Sequence, residues 1–210
     1  MLDHEGVELM DAKPLEFAAF LREYDRPGNV VLLEGKRNVK PDDAPLLTAL
    51  GRVLAANSRY LLFRSGNAAG ADALFAAGVT AVDASRLQVI LPYTGHRKAY
   101  NQAGSSLALD TINLTEEPQI VYESRLHKGT ASLIDRYVSG TRNAYTIKAS
   151  YILRDTVKVL GAAELPKAAF ACFYDDLDAP RQGGTGHTMA VCERNDVPFV
   201  DQRIWIQWLP

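Results

Sequence analysis

With 210 residues, 47% of them hydrophobic and 23% charged, the chain has the make-up of one soluble α/β domain that buries its core without disulfide or metal staples. Its 23 basic and 25 acidic residues give a formal net charge of −2, which excludes a general attraction to nucleic acid and leaves only local clusters such as Lys36-Arg37 and His96-Arg97-Lys98. No run approaches the roughly 18 apolar residues of a membrane span, and Met1 to Glu5 lack a secretory signal pattern, so a cytoplasmic protein is expected.

In chain order, residues 1–27 read as a lead-in: an extended polar start to residue 13, then a short amphipathic helix over Pro14–Tyr24. Pro27-Gly28 breaks it, and Asn29–Leu33 is an apolar run suited to a central parallel strand. That strand ends in the turn Glu34-Gly35-Lys36-Arg37. Asp42 and Asp43 are placed to cap the next helix, with Pro45 in its first turn and Leu46, Leu47, Leu50, Val53 and Leu54 as its buried stripe. Tyr60–Arg64 is a second strand, Ala71–Ala77 a helix, and Leu87–Pro92 a third strand followed by an exposed loop, Tyr93–Lys98. This β-α-β-α-β order predicts an open, mostly parallel Rossmann-like sheet with helices on both faces.

Residues 99–128 carry little signal beyond a helix over Pro118–His127. Ala131–Val138 reads as a helix ended by Gly140, and Thr141–Ile152 as another. Val157 and Val159 suggest a strand over Asp155–Gly161, and Phe170–Tyr174 another. Val197–Val200 is a short last strand. The tail, residues 203–210, alternates apolar residues, and its Trp205 and Trp208 must pack on the body or on a second subunit; a homo-oligomer is expected. Cys172 and Cys192 sit among apolar neighbours, as buried reduced thiols do.

Two stretches carry chemistry. Leu61–Arg64 leads into Ser65-Gly66-Asn67-Ala68-Ala69-Gly70 and then a helix; Phe170–Tyr174 leads through a polar loop to Gly183-Gly184-Thr185-Gly186 and a helical pattern from His187. Small residues at a strand-to-helix turn let backbone N–H groups and the helix dipole meet an anion, although glycine is also what a tight turn needs for its backbone angles. Two such turns can meet at the carboxyl edge of an α/β sheet, where strand order reverses and ligands bind. Neither matches a Walker loop or the dinucleotide fingerprint.

The series Arg64-Ser65-Gly66-x3-Gly70-Ala71-Asp72-x2-Phe75, Leu91-Pro92-Tyr93, Arg142-Asn143 and Gly183-Gly184-Thr185-Gly186 resembles the SLOG superfamily, named for the DNA-processing protein A and Lonely Guy families, and within it small phage and bacterial members. The resemblance spans residues 28–202. It implies a Rossmann-like fold binding a nucleotide-derived molecule, with Gly66, Asn67 and Gly70 on one side of the site and Gly184, Thr185 and Gly186 on the other. It also places Gly35, Lys36 and Arg37 where relatives often have Gly-Ser-Arg, so Lys36 departs from the pattern. Lonely Guy enzymes carry a glutamate on the second turn; His187-Thr188-Met189-Ala190 has none.

Read one by one, Arg64 is the strongest single candidate for a phosphate or ribose contact, its fork of donors suiting phosphate oxygens, with a structural ion pair as the alternative. Asp72 could accept from loop N–H groups and hold the turn, or meet a ribose hydroxyl. Thr185 and Thr188 could donate to an anion or cap their helix. Asp175, Asp176 and Asp178 form an acidic loop. His96 and His187 lack partners at metal-ligand spacing, so no metal is expected. Arg142 and Asn143 stand out through the resemblance alone. The candidate ligand set is Gly35, Lys36, Arg37, Arg64, Ser65, Gly66, Asn67, Gly70, Asp72, Arg142, Asn143, Gly183, Gly184, Thr185 and Gly186. The expected ligand is NAD-like, ADP-ribose-like or a cyclic nucleotide, captured or sensed rather than turned over. The alternatives are nucleotide N-glycoside hydrolysis and single-stranded DNA binding. No catalytic residue is assigned, because no acid has a partner that orients it.

Overall fold

A computed structural model describes residues 15–163 and 165–210. The expected extended start, residues 1–13, lies outside the described residues. Six strands form one all-parallel sheet: β1 (Val30–Gly35), β2 (Leu62–Ser65), β3 (Leu87–Leu91), β4 (Ser105–Ala108), β5 (Phe170–Tyr174) and β6 (Phe199–Val200), in the order β4-β3-β2-β1-β5-β6. The fold is a Rossmann-like open α/β sheet. The chain steps outward from β1 to β4, then returns to place β5 on the other side of β1. Strand order therefore reverses between β1 and β5, whose ends are paired at Gly35 and Tyr174.

One face is covered by α1 (Phe17–Tyr24), α2 (Ala44–Asn57) and α3 (Ala71–Asp83). The i, i+3, i+4 and i+7 spacing of Phe17, Phe20, Leu21 and Tyr24 gives α1 its apolar stripe, and the Phe20 ring lies 5.0 Å from Phe170 and 4.9 Å from Trp208. Asp43 holds the N-cap position of α2, yet its carboxylate makes no cap bond and instead accepts from the Tyr174 hydroxyl at 2.6 Å. The opposite face carries α4 (Pro118–Arg125), α5 (Ala131–Val138), α6 (Ile147–Leu160) and α7 (Gly183–Arg194).

One expectation is corrected. The strand over Asp155–Gly161 is the last two turns of α6, which does not stop at Ile152. Its β-branched run mimics a strand, but Ala149, Leu153 and Val157 repeat every four residues on the buried side. Gly161 ends the helix at φ +75°. The stretch without signal contains β4, a short edge strand whose first two residues are exposed. The tail forms α8 (Gln202–Trp205) and a 3-10 turn (Ile206–Trp208). Both tryptophans are buried within the one chain: Trp205 Nε1 donates to Phe173 O at 2.8 Å and Trp208 Nε1 to Leu15 O at 2.7 Å. The aromatic surface that suggested a homo-oligomer is thereby covered. No helix among the described residues is long and apolar enough to cross a membrane.

Candidate functional site

At the reversal point, a cleft of about 380 Å³ opens above the carboxyl ends of β1 and β5. Its floor is Glu34 and Gly35 at the end of β1. Lys36 and Arg37 follow on the turn, Ala68 and Asp72 stand on one wall, and Gln182–Thr185 at the start of α7 on another. The remaining wall is α6, through Tyr151, Ile152, Arg154, Asp155 and Lys158.

The first glycine turn is used up internally. Asp72, in the first turn of α3, accepts from the backbone N–H of Gly35 at 3.3 Å, Gly66 at 3.1 Å and Ala68 at 3.4 Å. It thereby welds the ends of β1 and β2 together, which is the turn-holding role rather than the ribose contact. The Gly66 carbonyl accepts from Arg154 Nη1 at 2.7 Å. Gly70, at φ +81°, lies so close to Arg37 that a Cβ would sit 2.1 Å from its carbonyl oxygen. Asn67 turns away from the cleft and donates to the carbonyls of His96 and Arg97 at 3.4 Å each. Ser65 is buried.

The second turn differs. The helix begins at Gly183 itself, so Gly183, Gly184 and Thr185 form its first turn, where N–H groups have no acceptor within the helix. All three line the cleft, whereas Gly186 packs against the Arg181 carbonyl. A Cβ on Gly184 would lie 3.1 Å from Asp155 Oδ2, a tight approach to the α6 wall of the cleft.

Beneath the cleft runs a buried ionic ladder. Lys158 Nζ lies 2.6 Å from Glu34 Oε2 and 2.9 Å from Asp155 Oδ1, and Arg154 Nη2 lies 2.8 Å from the same Asp155 oxygen. Thr188 donates its hydroxyl to Glu34 Oε1 at 2.9 Å. Burial pushes the Glu34 carboxyl up to about 8 against the pull of Lys158, while Arg154 and Lys158 together hold Asp155 below the usual carboxylate range against its own burial. Each carboxylate lining the cleft is thus committed to the framework: Asp72 to amides, Glu34 to Thr188 and Lys158, Asp155 to two cations. Lys36 adds a strap, donating to Gln182 O at 2.7 Å and lying 3.3 Å from Asp175. Arg37 is exposed and forms no ion pair among the described residues.

Of the fifteen candidates, Gly35, Lys36, Arg37, Asp72, Gly183, Gly184 and Thr185 meet in the cleft. Arg64 does not. It is fully buried, its Nε donating to Gln88 Oε1 at 2.7 Å and its Nη1 to Lys158 O at 3.1 Å, a strut between β2, β3 and α6. Burial brings its guanidinium down to about 10. Arg142 and Asn143 lie before α6, which starts only at Ile147. Arg142 stacks 3.6 Å over Tyr137 and donates to the Tyr137 carbonyl, and Asn143 Oδ1 accepts from the N–H groups of Tyr145 and Thr146 at 2.9 Å. Asp175, Asp176 and Asp178 border a neighbouring hollow, and His187 is interior, its Nε2 3.0 Å from Thr156 Oγ1. Among the described residues no group of three His, Cys, Asp or Glu is placed to hold a metal ion.

The residues missed by sequence reasoning are Tyr151, Arg154, Asp155 and Lys158. Their signal was charge at i, i+1 and i+4 inside an otherwise apolar helix, which a strand reading of Asp155–Gly161 hides.

Fold and cleft together define an open α/β protein with a crevice at its switch point. The chain matches no protein-family model and no curated protein. A solved structure similar to it is that of DNA processing protein A from Helicobacter pylori, described for a unique single-stranded DNA binding mode. The TM-score is 0.47 at 15% identity; the match covers 85% of this chain and 66% of that one, just under two thirds of it.

Proposed function

We propose that the protein binds a small nucleotide-derived anion in the switch-point cleft and holds it without hydrolysis. The observation that supports this most is the first turn of α7, whose N–H groups border the same hollow as Lys36, Arg37 and Arg154. A helix N-terminus facing nearby cations is the arrangement that receives phosphate. Capture rather than turnover follows from the acids. Glycoside cleavage needs a carboxylate free to activate water or steady an oxocarbenium-like centre, and Glu34, Asp72 and Asp155 are each engaged by framework donors.

The test is calorimetric titration with nucleoside monophosphates, cyclic nucleotides, ADP-ribose, NAD and a 5′-phosphorylated oligonucleotide, with chromatography of the recovered ligand. Saturable binding of a small nucleotide, released unchanged after heat denaturation, is expected. No binding at millimolar concentration, or preference for the oligonucleotide, overturns the reading; release of free base overturns its non-hydrolytic part.

A further inference from the structure

The cleft has an aromatic corner that the anion-binding reading does not use. Tyr151 on α6 borders the cleft two helical turns before Lys158 and three residues before Arg154. It is braced rather than free. The His96 ring meets it edge-on at 5.7 Å and 83°, and His96 in turn meets Tyr93 at 5.0 Å and 80°. The Arg154 guanidinium, itself tied to Asp155 and to the Gly66 carbonyl, lies 5.7 Å from the Tyr151 ring centre. The loop carrying His96 is anchored by Asn67, held at φ +53°, whose amide donates to the carbonyls of His96 and Arg97. Burial first, and the Tyr93 hydroxyl second, push the Tyr151 phenol above its ordinary value, in keeping with a ring fixed against its neighbours.

We infer that Tyr151 is the stacking platform for the flat base of a mononucleotide whose phosphate lies toward Arg37 and the start of α7. This rests on the anion-binding reading of the same cleft. Three features favour it. A half-buried tyrosine braced by the His96 ring and the Arg154 guanidinium presents an aromatic surface at little further entropic cost. Arg37 and Tyr151 line the same cleft, so a cation and an aromatic ring are available to one ligand. The hollow of about 380 Å³ lies at the small end of ligand pockets, which run from roughly 300 to 1,000 Å³, so it suits one base, one sugar and one phosphate better than a dinucleotide. The roles are thus divided: α7 and the cations read the phosphate, and Tyr151 reads the ring.

The experiment compares AMP, CMP and ribose 5-phosphate on the full chain and on Tyr151→Ala and Tyr151→Phe, by calorimetry, with circular dichroism to confirm that each variant is folded. Wild type is expected to bind at least one of the two monophosphates more tightly than ribose 5-phosphate. Tyr151→Ala should weaken that monophosphate about tenfold or more, the loss typical of one stacked base, and leave ribose 5-phosphate unchanged. Tyr151→Phe, which keeps the ring, should stay within about threefold of wild type. Equal affinity of wild type for the monophosphates and ribose 5-phosphate, or equal weakening of both by Tyr151→Ala, overturns the platform while leaving the cleft an anion site. Failure of all three ligands on wild type overturns the platform, and the anion site falls with it only if cyclic nucleotides, ADP-ribose and NAD fail as well.

Discussion

Lys158 Nζ lies 2.6 Å from Glu34 Oε2, both buried, and this contact joins the last turn of α6 to the carboxyl end of β1 beneath the cleft. It fixes the height of the α6 wall above the sheet at the point where strand order reverses. Removing Lys158 takes a cation from the buried Asp155 carboxylate at 2.9 Å as well as the partner of Glu34, and breaking a buried ion pair typically costs about 3 to 5 kcal/mol. Lys158→Met should therefore destabilise strongly in urea titrations. Glu34→Gln should cost much less, because Lys158 keeps Asp155 at 2.9 Å. Equal losses for the two variants would show that the pair is not where the stability resides.

The same glutamate sets a pH dependence of definite sign. Its carboxyl has an ordinary value of 4.5 and is raised by burial to about 8 in the fold, so between those values the folded state holds a proton that the unfolded state lacks. The stabilisation is complete below the unfolded value and is lost as pH rises through the folded one. Wild type should therefore lose stability relative to Glu34→Gln as pH rises from about 4.5 to about 8, and the difference should level off above that. A gap between their thermal midpoints that does not change with pH means that Glu34 is ionised throughout.

His187 acts at the opposite end of the scale. Burial lowers its ring from 6.5 to about 4, against the opposing pull of Asp155, so it stays neutral beside Thr156 and His127. Protonation on unfolding is favoured below 6.5. The contribution is present above that value and is lost as pH falls through 4. Proton NMR of the imidazole should show no titration between pH 5 and 8; a midpoint near 6.5 would mean the ring is solvated.

How much of this was legible in the chain depended on pattern length. Val30–Leu33 and Phe170–Tyr174 announced central parallel strands because they are apolar on both faces, as a doubly covered sheet requires. Of the two strand-to-helix turns expected to meet, only Gly183–Thr185 lines the cleft; it faces Lys36 and Arg37 of the β1 turn rather than Gly66, Asn67 and Gly70, which are held in the framework. Arg64 was legible as important but not as buried: a strand-end arginine looks the same in sequence whether it faces a ligand or, as here, Gln88 and the Lys158 carbonyl. The wall of the cleft was hidden because Thr156-Val157-Lys158-Val159 has the β-branched alternation of a strand, while the helical stripe that overrides it begins two turns earlier. Ser105–Ala108 forms an edge strand on pairing with β3 alone, with hardly any local pattern of its own.

Two glycines separate packing from strain. Gly70 has φ +81° and no room for a Cβ beside Arg37, whereas Gly183 has φ +64° with nothing within 4 Å. Gly183→Ala should cost only about 1 to 2 kcal/mol, the penalty of a left-handed alanine. Gly70→Ala adds a backbone clash and should cost clearly more, with the Lys36-Arg37 turn displaced. Comparable unfolding midpoints for the two would remove the close approach as the reason for Gly70.

Arg37 and Lys36 are neighbours with different duties. Arg37 is exposed, makes no ion pair among the described residues and borders the cleft, so Arg37→Met should leave stability within about 0.5 kcal/mol of wild type. If the cleft takes a phosphate, the same change should weaken AMP about tenfold, and the loss should shrink as salt is raised from 50 to 500 mM, roughly as screening of an exposed charge demands. Lys36→Met should lower both stability and affinity, because its ammonium straps the β1 turn to Gln182 O at 2.7 Å and so positions the start of α7. Urea titration and calorimetry on the two variants separate these roles. An Arg37→Met protein that binds AMP as wild type does would move the phosphate away from this turn, and loss of stability in Arg37→Met but not in Lys36→Met would reverse the assignment.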